Sequence, residues 1–132
     1  MKLLDSQIGN FLVGKFGGME AVDELIEKGQ LILAPISDCR GTDLSGKIGV
    51  YMTEAQNTTV DIMQLVLQRV GSNCKVIIEG DDKAQVDLNA YSNGNNGLRK
   101  ASQVFRGQDY YGEITLNACH RSKIARQAEL MT

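Results

Sequence analysis

Glu54 and Gln56 stand two residues apart, directly after an apolar run, in the stretch I-G-V-Y-M-T-E-A-Q-N-T-T of residues 48–59. A carboxylate can orient a water for attack, and a primary amide offers both a donor and an acceptor to a phosphate or a neighbouring side chain. Two further polar clusters follow strand-like segments: Gly80-Asp81 with Gln85 after K-V-I-I-E (residues 75–79), and His120-Arg121-Ser122 after residues 112–116. Parallel strands would put all three clusters at one edge of a sheet, where open α/β folds bind their ligands. An acid to orient water, an amide to sense a terminal phosphate and a guanidinium to neutralise developing charge suit a polyphosphate. Singly, each cluster has an ordinary reading: Glu54 as a solvated loop acid, Gly80-Asp81 as a turn, Arg121 as a surface cation. Order and spacing together carry the argument.

The elements that must position these residues can be read in chain order. Leu4, Ile8, Phe11 and Leu12 give residues 1–16 weak helical character, and Gly17-Gly18 break it. Met19 to Lys28 reads as a helix with Met19, Val22, Leu25 and Ile26 on one face, acids in its first turns and Gly29 at C′. Leu31 to Ile36 holds the only proline, Pro35, and reads as an edge or terminal strand. Ser37 to Gly46 is a polar loop. Ile48 to Met52 is the central strand, Thr58 or Thr59 caps the next helix, and Val60, Met63, Leu67 and Val70 with Ile62 and Val66 form its apolar face up to Gly71. Lys75 to Glu79 is a second strand, so a βαβ unit with a right-handed crossover is expected. A loop over residues 87–96, a helix marked by Leu98, Ala101, Val104 and Phe105, a third strand at Gly112 to Leu116, and a last helix through Ile124, Ala125 and Ala128 complete the chain. The alternation implies an α/β fold: a mostly parallel sheet flanked by helices. Residues 1–45 are an N-terminal helical segment with an edge strand, and 46–132 the sheet-bearing part of one compact domain.

Several classes are set aside. A net charge of −2 creates no global field for nucleic acid or membrane. No apolar run approaches the roughly 20 residues that span a bilayer. Asp5 follows Met1-Lys2-Leu3-Leu4 at once, so no signal peptide is expected and the setting is read as cytoplasmic. Cys39, Cys74 and Cys119 are odd in number and widely spaced, which fits reduced thiols better than a disulfide framework or a CxxC metal site. Cys119 and His120 are adjacent on a loop and point apart, a poor nucleophile–base pair. Gly9 to Lys15 matches G-x-x-x-x-G-K, but Phe16 replaces the magnesium-binding Ser or Thr, Phe11-Leu12-Val13 looks like a packing face, and residues 1–8 are too few and too polar to supply the preceding strand.

The order T-E-A-Q-N-T-T (53–59), G-D-D-K-A-Q-V-D (80–87), S-N-G-N-N-G-L-R-K-A (92–101) and L-N-A-C-H-R-S-K-I-A (116–125) resembles the carboxyl-terminal half of PhoH-like proteins. These are RecA-like P-loop ATPases, Rossmann-like in architecture, related to the motor cores of superfamily-one helicases. The resemblance covers residues 38–130 well and 17–37 more loosely. It implies that Glu54 matches the Walker B glutamate that polarises the attacking water, and that Gln56 couples nucleotide state to conformation. Asp81 and Gln85 match the third helicase-like motif, whose glutamine approaches the γ-phosphate. Arg121 matches the arginine of an RS motif that contacts phosphate. Arg40-Gly41 matches an RG segment, with RNA contact or a finger into a neighbouring subunit as its alternative roles.

Two departures stand out. The family's Walker A loop is expected upstream of this chain, and Thr53 stands where the family has the aspartate that holds magnesium through water. A hydroxyl is a poorer magnesium partner than a carboxylate, so Thr53 and Glu54 would make a weak site. The resemblance therefore implies ATP and magnesium as ligands, but with ATP binding and hydrolysis only alongside a partner chain that bears the P-loop. The alternative is a non-catalytic nucleic-acid-binding or assembly module, with RNA or single-stranded nucleic acid as its ligand. Phosphate starvation and RNA metabolism are the setting the resemblance implies. A truncated sheet should also expose a strand edge and an apolar face, so a homo-oligomer or a partner chain is expected.

Overall fold

Two glycines make the first turn of the chain. Helix α1 (Gln7–Phe16) ends where Gly17 adopts φ 89°, and the Gly18 N–H reaches back to the Val13 carbonyl at 2.9 Å. Helix α2 (Met19–Glu27) follows and packs against α1 with Val22 fully buried. The α2 end is a Schellman motif: Gly29 at φ 66° donates to Ile26 O at 3.0 Å and Gln30 to Leu25 O at 2.9 Å. The computed structural model describes residues 7–46, 49–81, 94–118 and 120–131. Gly9 to Lys15 thus lie inside α1, where most amides are spent on the helix ladder rather than open to a phosphate. Leu12 and Val13 are half-buried there, whereas Phe11 faces solvent.

The strand–helix–strand unit forms as its pattern demands. Strand β1 (Gly49–Met52) pairs in parallel with β2 (Lys75–Ile78), with Gly49 opposite Lys75 and Tyr51 opposite Ile77. The ladder is carried past its last pair by Glu79 N–H to Met52 O at 2.8 Å and Ala55 N–H to Glu79 O at 3.0 Å. Helix α3 (Val60–Leu67) links the strands, and its N-cap is Thr59, whose hydroxyl accepts from Ile62 N at 3.3 Å. Met52, Ala55, Met63 and Val66 form the buried apolar set of this unit, together with Ala101 of α4 (Gly97–Phe105). Burying side chains such as Met63 and Val66 is worth roughly 1.5–3 kcal/mol each. The alternate strand positions lie open: Tyr51 is 51% and Ile77 59% exposed, side by side on one sheet face.

Two expected strands do not form. Residues 31–35 are irregular, and Pro35 (φ −59°) opens a 3₁₀ helix, Ile36–Gly41, that packs on α3. The run is apolar, but no described strand lies beside it to make a ladder. Residues 111–118 are likewise irregular, with Ile114 and Leu116 each 84% exposed. A β-branched residue favours a strand only where a neighbouring strand and a packed face reward it. Among the described residues the sheet therefore has two strands.

Contacts divide the chain into two units, Met1–Ala101 and Ser102–Thr132. In the second, Glu113 gathers three donors: Ser102 Oγ at 2.7 Å, Tyr111 Oη at 2.8 Å and Arg106 Nη2 at 3.1 Å. The Phe105 ring stacks on Tyr111 (centroids 6.3 Å apart) and meets Tyr110 edge-on at 6.5 Å. Helix α5 (Lys123–Ala128) starts at Ser122, whose hydroxyl accepts from Ala125 N at 3.2 Å, and a 3₁₀ helix, Glu129–Met131, follows it.

The hydrogen bonds from Ser102, Tyr111 and Arg106 hold the Glu113 carboxyl down to about 2, from its ordinary 4.5. A carboxylate depressed by folding supports the turn fully above its unfolded value, and that support is lost as pH falls through the folded one. The window is thus pH 4.5 down to about 2. Ser102→Ala, which removes the largest cause, is expected to move the Glu113 midpoint upward in a carboxyl-detected NMR titration.

The loop before β1 is pinned from the turn that follows α3. Arg69 Nη1 donates to Thr42 O at 3.1 Å, and the Asp43 carboxylate accepts from Ser45 N at 2.9 Å and Ser45 Oγ at 2.7 Å. Gly71 lies so close to the Ser45 carbonyl oxygen that a Cβ there would collide with backbone. Gly71→Ala is expected to cost about 1–3 kcal/mol in urea unfolding, the range for overpacking. Gly46→Ala, which meets nothing within 4 Å, should cost under about 0.5 kcal/mol.

Candidate functional site

Glu54 is held in an unusual backbone state. At φ 53° and ψ 37° it is left-handed, and among the described residues no other non-glycine has a positive φ. That conformation costs about 1–2 kcal/mol for a residue with a Cβ. The turn that follows repays it. Ala55–Asn57 is a 3₁₀ helix with Asn57 N–H on Glu54 O at 3.0 Å and Thr58 N–H on Ala55 O at 3.2 Å. Thr58, 4% exposed, donates its hydroxyl to Ala55 O at 2.7 Å.

Gln56 is the hub. It is 5% exposed, and its side chain bridges the ends of both strands: Nε2 donates to Glu54 Oε2 at 2.7 Å, and Oε1 accepts from the Asp81 N–H at 3.1 Å. Its own carbonyl accepts from Asn96 Nδ2 at 2.8 Å. Gly80 is a glycine because a Cβ would stand 2.8 Å from Gln56 Oε1 and 2.8 Å from Leu98 Cδ2. The sequence reading placed Glu54, Gln56 and Asp81 on one rim, and hydrogen bonds join them there. Thr53 is half-buried beside them.

The remaining candidates are Gln85, Arg40 and Arg121. Gln85 lies outside the described residues, as does Cys119. Arg40 is exposed on the Ile36–Gly41 3₁₀ helix and makes no hydrogen bond to Glu54, Gln56 or Asp81. Arg121 belongs to the second unit and follows no strand, so its candidacy rests on the resemblance alone. Asn96 was passed over as a loop residue. The available signal was a cap: an asparagine directly before the apolar spacing of Leu98, Ala101 and Phe105.

The amides near this rim are mostly occupied. Those of Ala55, Asn57, Thr58, Asp81 and Gly97 all have acceptors within the protein. At the start of α3, Val60 N–H is taken by Asn95 Oδ1 at 3.3 Å and Ile62 N–H by Thr59. A helix start with free amides would bind an anion, and two of the first three here have acceptors already. Nor is there a protein cage for a cation: among the described residues no three His, Cys, Asp or Glu come together. Glu54, with one oxygen on Gln56, and the half-buried Thr53 are the residues the family resemblance would assign to magnesium, and a donor set of this size would leave most of such an ion's shell to water and phosphate.

Comparison with known proteins gives the chain a family. A PhoH-like protein family model matches residues 4–131. The chain belongs to the PhoH family. It is 35% identical over 100 residues to a PhoH-like protein of Bacillus subtilis, covering 76% of this chain and 30% of that one. It is 36% identical over 87 residues to a PhoH-like protein of Synechocystis, covering 66% and 25%. It is 30% identical over 113 residues to a protein named PhoH2 from Thermobispora bispora, covering 86% and 25%. The chain thus spans between 25% and 30% of the length of these relatives. No solved structure matches it. The parallel β1–β2 pair with flanking helices agrees with the α/β, P-loop-related fold of the family. No helix among the described residues is long and apolar enough to cross a membrane.

If Gln56 joins the two strand ends, removing its amide leaves a part-buried donor unpaired. Gln56→Leu is expected to cost about 1–3 kcal/mol in urea unfolding. The Asp81 amide should also exchange faster with solvent than it does in the parent protein. Unchanged Asp81 exchange would mean that the bridge does not hold in solution.

Proposed function

We propose that this PhoH-family chain supplies the acid-and-sensor side of a nucleotide site and takes part in ATP hydrolysis when another chain supplies the phosphate loop. The observation that carries the reading is Gln56, buried between Glu54 at the end of β1 and Asp81 at the end of β2. In this role Glu54 orients the attacking water, with one carboxylate oxygen fixed by Gln56 and the other turned to the reaction. Magnesium on the phosphates would supply charge neutralisation, with Thr53 reached through water. Gln56 reports the state of the site to both strand ends. The occupied amides of Ala55, Asn57, Thr58, Val60 and Ile62 support assigning the phosphate cradle to a partner.

A second reading has its own support. Thr53 in place of a carboxylate favours a fold kept for assembly after the chemistry was lost. In either case the open face of Tyr51 and Ile77 supports a partner chain or a second copy.

Calorimetric titration of ATP with magnesium separates the readings. The isolated chain should show no saturable binding at millimolar ATP. Mixed with a G-x-x-x-x-G-K-[ST] segment from a PhoH-like relative, it should hydrolyse ATP, and Glu54→Gln should reduce turnover at least about a hundredfold, the lower range for a general base. Tight, magnesium-dependent binding by the chain alone would overturn the need for a partner. Binding by the mixture without turnover would favour the assembly reading.

A further inference from the structure

One polar group at the hub to which the family resemblance assigns no role is Asn96. It is 4% exposed and lies 40 residues from Gln56 in sequence. Its two side-chain atoms do different work. Oδ1 accepts from the Arg99 N–H at 3.0 Å and caps α4. Nδ2 donates to the Gln56 carbonyl at 2.8 Å. Capping needs only the acceptor, and Asp, Ser or Thr would serve as well. Among the good capping side chains, only asparagine also offers an N–H to the Gln56 carbonyl while its oxygen caps the helix.

The neighbours of Asn96 make the same connection. Gly97 N–H donates to Thr58 O at 2.8 Å. A Cβ on Gly97 would stand 2.5 Å from Thr58 Oγ1 and 2.6 Å from Thr59 O, so the helix start is seated directly on the turn. Leu98 closes against Gly80 on the β2 side. The first turn of α4 therefore touches both strand-end turns that Gln56 bridges.

We propose that Asn96 is the positioning residue of this site. It ties the Gln56 main chain to the start of α4, so that the Glu54–Gln56–Asp81 bridge and helix α4 move as one piece. A reorientation of Gln56 is then passed to the start of α4. The structural link stands on the hydrogen bonds alone. Its use in turnover rests on the function proposed above.

Asn96→Asp separates positioning from capping. It keeps the acceptor for Arg99 but replaces the donor to Gln56 with an oxygen facing a carbonyl. Asn96→Ser keeps a capping oxygen without adding charge, is too short to reach Gln56, and serves if the aspartate variant does not fold. Hydrogen exchange followed by NMR, without nucleotide, is the primary readout. The Asp81 backbone amide and the Gln56 side-chain amide should exchange about tenfold faster, the factor for one lost hydrogen bond, while the Arg99 amide keeps its protection. Unchanged exchange at Asp81 and Gln56 overturns the proposal. So does equal acceleration at Arg99, because Asn96 would then be a cap and nothing more. In the reconstituted reaction Asn96→Asp should lower kcat with KM unchanged, and a loss confined to KM would also overturn it. Absence of turnover in the parent mixture would sink the proposed function instead, leaving the exchange measurement to decide the link.

Discussion

A buried amide must find a partner for each of its polar atoms, and around Gln56 that constraint shapes the fold. The side chain has almost no access to water, so its N–H and its oxygen are satisfied by Glu54 and by the Asp81 main chain. Satisfying them requires β1 and β2 to end at the same height, which the parallel register of Met52 with Ile78 provides. It also requires Glu54 to leave the strand in a left-handed turn, at a conformational cost that the bonds of the turn offset. Gly80 then has no space for a side chain. One satisfied amide thus accounts for a register, a strained residue and a glycine.

How much of this was legible in the sequence depended on how local the cause was. The β1–α3–β2 unit was legible because both of its periodicities lie within a few residues and its cap, Thr59, sits at the boundary. The rim residues Glu54, Gln56 and Asp81 followed from strand ends in a parallel sheet. The supposed strands at 31–36 and 112–116 were misread for one reason: their residues suit a pleated face, but a strand exists only through a neighbour, and composition cannot say whether one is present. Gly71 was read as a helix stop, yet α3 ends at Leu67, and the glycine is required by the Ser45 carbonyl far along the chain. Asn96 was hidden among the polar residues of a long loop because its second bond is to a residue 40 positions away.

The second unit rests on different physics. Its order comes from short-range polar contacts at Glu113 and from Phe105 against two tyrosines, with no fully buried side chain among its described residues. Exposed ion pairs such as Arg106–Glu113 add little individually. What they provide here is geometry: three donors from α4 and the following turn converge on one carboxylate. That fixes the turn that follows α4.

Under the proposed function, the two-stranded sheet of the described residues and the occupied amides at its rim point in the same direction. Parallel strands are ordinarily covered on both faces, and here Tyr51 and Ile77 are open on one of them. Nucleotide hydrolysis needs free amides around phosphate, and here those of residues 55–62 are largely committed to the fold. A chain that brought a further strand with its own glycine-rich turn would cover the apolar face and supply the cradle in the same act. Stability and chemistry would then be gained together, so that the acid at Glu54 would meet a phosphate only in a completed sheet. Such coupling suits a residue held under backbone strain: Glu54 is already fixed by Gln56, and under the proposed function the completed sheet would need only to place the phosphate in front of it.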